Sequence, residues 1–105
     1  MDRFLTRQEE LVLLTIFQLK GNSYLVRIRE FLIENTGKDW SISSVYVPLS
    51  RLTRDGYLRE IIGNPTAKRG GKAIKYYEIS EDGKAVLQEL NELNQVMWKG
   101  LIPEK

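Results

Sequence analysis

Ser43, Ser44 and Tyr46 place three hydroxyls within four residues, and Arg51 adds a guanidinium five positions later. Further along, Lys68, Arg69 and Lys72 sit in GNPTAKRGGK, a stretch without a single acid. Hydroxyl donors, fixed cations and intervening glycines suit the holding of an oxyanion, because glycine lets backbone amides come close to it. They are poorly suited to breaking bonds. The chain has no histidine, so the commonest general base is missing and Ser43 has nothing to take its proton. Without cysteine as well, there is no disulfide framework and no thiolate metal site, and the commonest transition-metal ligand is gone. No Walker-type phosphate loop or dinucleotide fingerprint is present. The acidic pairs Glu9/Glu10, Glu34/Asp39 and Glu81/Asp82 fall at helix starts or exposed connections, where carboxylates favour the helix dipole or are simply solvated. The expectation is a binding protein, with no catalytic residues, no metal and no cofactor.

The kind of anion follows from where the charge lies. The 105 residues carry a net charge of only +2. Residues 1–40 balance to zero, residues 41–79 reach +4, and residues 80–105 fall to −2. A basic middle with an acid-free strip fits an extended polyanion better than a small charged molecule. The composition, 42% apolar and 29% charged, is that of a globular domain and not of a disordered chain. No apolar run approaches the ~18 residues of a membrane span. The first ten residues lack the layout of a secretory signal, so the expected setting is the cytoplasm, with no membrane partner.

The elements that must position these groups can be read in order. Thr6-Arg7-Gln8-Glu9 has the form of a capping box, and the run behind it is apolar on nearly every side, so the first helix is expected at the centre. Ser23 is the expected cap of a second helix, whose Tyr24, Leu25, Ile28, Phe31 and Leu32 share a face and which stops at Thr36-Gly37. A third helix carries the hydroxyl cluster, with Val45, Leu49 and Leu52 as its apolar stripe and Asp55-Gly56 as its stop. If Ser43 or Ser44 caps it, Pro48 falls at about the fourth or fifth helical position and opens a turn whose bonds are already incomplete. YLREIIG and AIKYYEIS read as two strands of a hairpin whose tip is the basic strip. Ser80 opens a last helix reaching about Trp98, on which Val86, Leu90, Leu93 and Met97 form a short coiled-coil seam, widened by Leu87 and Trp98. The fold class is α+β, and the order of elements is that of a winged helix-turn-helix. Residues 1–79 form that unit and residues 80–105 a terminal helix and tail.

The segments Ser44-Val45-Tyr46, Leu49, Arg51-Leu52 and Gly56-Tyr57-Leu58 resemble the third-helix signature of PadR-like transcriptional regulators. RGGKAIKYYEISEDG, Arg69 to Gly83, resembles that family's wing and the start of its dimerisation helix, and LTRQEELVLLTIF matches its first helix loosely. The resemblance covers roughly residues 5–98. One departure concerns the first turn: the family has proline directly after the tyrosine, and here Val47 intervenes before Pro48. The single terminal helix matches the compact branch of the family.

The resemblance implies a homodimeric regulator, expected to be a repressor, with double-stranded DNA as its partner. Ser43, Ser44 and Tyr46 would meet phosphates or base edges, and Arg51 a phosphate or guanine. Lys68, Arg69 and Lys72 would follow the backbone, giving affinity without sequence choice. A dimer making about eight phosphate contacts should show a log–log salt slope of roughly −7. Dimerisation would use Val86, Leu90, Leu93 and Met97. In compact relatives an aromatic residue of each terminal helix lines an interfacial pocket for flat apolar molecules, which makes Trp98 a possible contact for a small aromatic effector. The competing reading is a winged-helix module that binds protein and has lost DNA, but such a module has no need of an acid-free wing tip.

Overall fold

The computed structural model describes residues 3–63 and 73–101. Its elements run α1 Arg7–Leu19, α2 Leu25–Thr36, α3 Ile42–Arg54, β1 Leu58–Ile62, β2 Lys75–Ile79 and α4 Glu81–Met97. Three helices, a two-stranded antiparallel wing and a terminal helix give the α+β winged helix-turn-helix that the element order implied. α1 is the hub. It packs on α2, α3, β2 and α4, and Val12, Leu13 and Ile16 on it are buried with Ile28, Leu32, Val45, Leu49, Leu52 and Leu58.

The helix starts are mostly local chemistry. At α1 the capping box is complete: the Glu9 amide donates to Thr6 Oγ1 at 3.1 Å, and the Thr6 amide to Glu9 Oε1 at 2.8 Å. Glu9 departs from expectation in being fully buried. Its carboxylate also accepts from both terminal nitrogens of Arg3 at 2.8 Å, and Arg3 reaches Asp55 at 2.7 Å. A buried carboxylate persists only when paired and hydrogen-bonded, and this one ties the start of α1 to the end of α3.

Ser23 does not cap α2; the cap position is Tyr24, with no side-chain cap bond. Ser23 is buried, and its hydroxyl donates to the Ile16 carbonyl at 3.4 Å. Its own carbonyl accepts from the Tyr77 amide at 2.9 Å, while Tyr24 forms an isolated bridge with Tyr76. The Tyr24 and Tyr76 rings meet edge to face at 5.8 Å. The segment before α2 thus serves as a third-strand stub beside β2, and its groups go to the sheet instead of the helix.

α4 is seated on the turn that follows α3. Ser80 Oγ accepts from the Gly83 amide at 3.0 Å and donates to the Gly56 carbonyl at 2.6 Å. The Ser80 amide donates to the Tyr57 carbonyl at 3.0 Å. Gly83 sits so close to this turn that a Cβ there would lie 2.4 Å from the Tyr57 carbonyl oxygen. Val86 and Leu90 complete the contact of α4 with the body.

Candidate nucleic-acid interface

α3 begins earlier than the serine spacing implied. Its cap is Ser41, whose hydroxyl accepts from the Ser44 amide at 3.1 Å. Pro48 therefore lies at the seventh helical position, inside the helix, and the first turn is regular. The missing N–H removes the bond that the Ser44 carbonyl would have accepted, at a cost of about 3 kcal/mol. Val45, Leu49 and Leu52 are each fully buried, contributing roughly 1.5–3 kcal/mol apiece. Burial wins, and Pro48 joins the same buried stripe.

Opposite that stripe, Ser43, Val47, Ser50 and Arg54 recur at 4, 3 and 4 and are all exposed, flanked by exposed Tyr46 and Arg51. Ser44 is half-buried, and its hydroxyl already donates to the Ser41 carbonyl at 2.8 Å. Arg51 makes no ion pair with any described residue. Val47, Ser50 and Arg54 were not singled out from the sequence. Their signal was present: the apolar stripe, turned half a revolution, picks out these positions. Lys68, Arg69 and Lys72 lie outside the described residues.

The helix is held at both ends. At its start, Trp40 is buried; its indole N–H donates to Thr36 Oγ1 at 3.1 Å, and its carbonyl accepts from Arg29 Nε at 2.6 Å. Arg29 is thereby spent on the α2–α3 turn. At its end, Asp55 pairs with Arg54 at 3.0 Å and Arg3 at 2.7 Å. Those guanidiniums, Arg54 foremost, hold the Asp55 carboxyl below its ordinary range. Arg3 does the same for Glu9.

Beside α3 stands the wing. In its register Leu58 faces Ile79, Glu60 faces Tyr77, and Ile62 faces Lys75, so these six share one face of the ribbon. Leu58 and Tyr77 on that face are buried in the core. Glu60 and Lys75, further out, pair at 3.6 Å. Arg59 and Glu78 pair on the opposite face. Burial pushes the Tyr77 phenol up to about 12, with nearby Glu60 and Tyr46 adding to the effect. Tyr77, Glu60 and Lys75 thus share the inner face of the wing.

The proposed seam on α4 divides. Val86 and Leu90 belong to the chain's own core, whereas Leu93 is 40% and Met97 73% exposed. From Asn91 to Leu101 every residue except Asn94 is exposed, including Val96, Trp98 and Leu101. Trp98 borders an open groove of about 640 Å³ with Arg7, Glu10, Asn94 and Gln95. No helix among the described residues is long and apolar enough to cross a membrane.

No protein-family model matches the chain, and no curated protein matches it. Solved structures do. A PadR family transcriptional regulator from Eggerthella lenta is 26% identical with a TM-score of 0.71, over 90% of this chain and 80% of that one. A PadR-like transcription factor from Bacteroides fragilis is 25% identical with a TM-score of 0.67, over 85% and 84%. A winged-helix DNA-binding protein from STIV is 17% identical with a TM-score of 0.71, over 93% and 98%. The first two neighbours are transcription regulators. In fold, the chain is similar to these solved PadR family regulators.

Proposed function

We propose that this chain is a sequence-specific DNA-binding transcriptional regulator that acts as a homodimeric repressor. One observation carries the reading: α3 buries its entire apolar stripe and turns outward a row of Ser43, Val47, Ser50 and Arg54 with Tyr46 and Arg51 at its flanks. That row combines hydroxyl and guanidinium donors for bases and phosphates with an apolar group for a thymine methyl. The PadR family relationship of the neighbours points the same way. The basic stretch with Lys68, Arg69 and Lys72, which lies between β1 and β2 in the sequence, would add phosphate contacts.

The exposed Leu93, Val96, Met97 and Trp98 support the second copy. A helix end this apolar stays covered in water, and a two-fold pair would set two recognition helices about one DNA turn apart. The groove beside Trp98 is where a flat aromatic effector would sit and relieve repression. Selection of bound sequences from a random duplex pool at a fixed salt concentration tests the whole reading. A palindromic consensus with half-sites one turn apart is the expected result. Failure to enrich any duplex, at low salt as well as high, refutes it.

A further inference from the structure

The inner face of the wing holds groups that the helix reading leaves without a task. Tyr77 is 5% exposed, yet among the described residues its hydroxyl makes no hydrogen bond, and no buried side-chain polar atom there is left unpartnered. The hydroxyl therefore lies at the open end of a buried ring. Glu60 stands directly across the ladder from Tyr77 and pairs with Lys75 one step outward at 3.6 Å, both side chains about two-fifths exposed. A phenol donor on a buried ring, a part-exposed ammonium and a carboxylate thus share one patch on the inner face of the wing.

We propose that this patch binds a DNA phosphodiester, with Tyr77 and Lys75 as its donors and Glu60 as the anion that occupies Lys75 until phosphate replaces it. The inference rests on the DNA-binding reading and assigns it a new site. The chemistry fits the parts. A buried ring holds the Tyr77 hydroxyl in place, so little rotamer freedom is lost when it donates. A half-exposed ion pair at 3.6 Å is weak enough to exchange. Phosphate presents two charged oxygens where the carboxylate now sits, which suits both donors at once. Glu60 therefore lowers affinity for every duplex, whatever its sequence.

The test is binding of the full chain to a mixed-sequence duplex, followed by anisotropy across a range of potassium chloride concentrations. Lys75→Gln should weaken binding and flatten the log–log salt slope by about 0.9 for each engaged copy. Tyr77→Phe should weaken binding severalfold with the slope unchanged, since it removes a neutral donor and keeps the ring. Glu60→Gln should tighten binding severalfold, and Glu78→Gln, the same charge change on the opposite face of the wing, should do so far less. A Lys75→Gln slope equal to that of the parent, or equal gains from Glu60→Gln and Glu78→Gln, overturns this wing site while leaving DNA binding intact. A parent chain that ignores duplex at the lowest salt overturns the DNA reading and the wing site together. Glu60 and Lys75 are both at the surface, so their variants remain informative even where Tyr77→Phe loosens the core.

Discussion

Replacing Gly83 with alanine sets two effects of opposite sign against each other. Gly83 is the third residue of α4, and its φ is not positive, so no backbone conformation requires glycine there. Helix propensity alone makes alanine better by about 1 kcal/mol. The packing says otherwise. An added Cβ would stand 2.4 Å from the Tyr57 carbonyl oxygen and 2.8 Å from Ile79 Cγ1. The carbonyl has little freedom to retreat: it accepts from the Ser80 amide at 3.0 Å, and the Tyr57 amide donates to the Leu52 carbonyl at 2.9 Å. Overpacking against fixed neighbours costs about 1–3 kcal/mol. If α4 shifts to relieve it, the Ser80 bonds to Gly56 and Tyr57 weaken, at about 1 kcal/mol each. The net expectation is a loss of about 1–3 kcal/mol. Urea unfolding followed by the fluorescence of buried Trp40 measures it, as a lower midpoint at constant slope. A Gly83→Ala chain as stable as the parent, or more so, refutes the argument that the seat of α4 depends on this contact.

Three other expectations follow from the charges and the exposed helix end. Glu9 has its carboxyl held down by Arg3, so its contribution is complete above the ordinary carboxylate value of about 4.3 and is lost as pH falls through the lower folded value. Glu9→Gln should cost about 1–3 kcal/mol at neutral pH and flatten the acid side of a stability-against-pH curve. Tyr77 has the opposite sign. Its phenol is pushed up to about 12, so stability is intact below about pH 10 and declines as pH rises through the folded value. Tyr77→Phe should remove that share of the alkaline decline, as read by urea midpoints. Met97→Glu places a charge in the exposed apolar end of α4 and should halve the solution mass measured by light scattering, while far-ultraviolet dichroism stays that of the folded chain. A parent chain that already runs as a monomer contradicts the dimer reading.

Features governed by neighbours a few residues away were legible in the sequence. The Thr6/Glu9 capping box, the stop at Gly37, the Ser80 start of α4 and the two wing strands all appear where the local pattern places them. Each depends on a hydroxyl reaching its own helix, a glycine able to take positive φ, or alternation along a strand, and none needs a distant partner. The outward face of α3 was also written there, at helical offsets from Val45, Leu49 and Leu52.

Three further features were decided only in the folded chain. Ser23 and Ser41 are both serines before helices. Ser41 caps and Ser23 does not, because the strand at Tyr76 and Tyr77 claims the segment around Ser23. Glu9 and Glu10 are adjacent acids, and Glu9 alone is buried, because α1 presents it to Arg3, which also pairs with Asp55. Val86, Leu90, Leu93 and Met97 form one stripe in the sequence, yet the first two are core and the last two are exposed. Periodicity records which side of a helix is apolar; where the body beneath it ends depends on the packing of residues far apart in the chain, and that alone settles which apolar side chains remain for a partner.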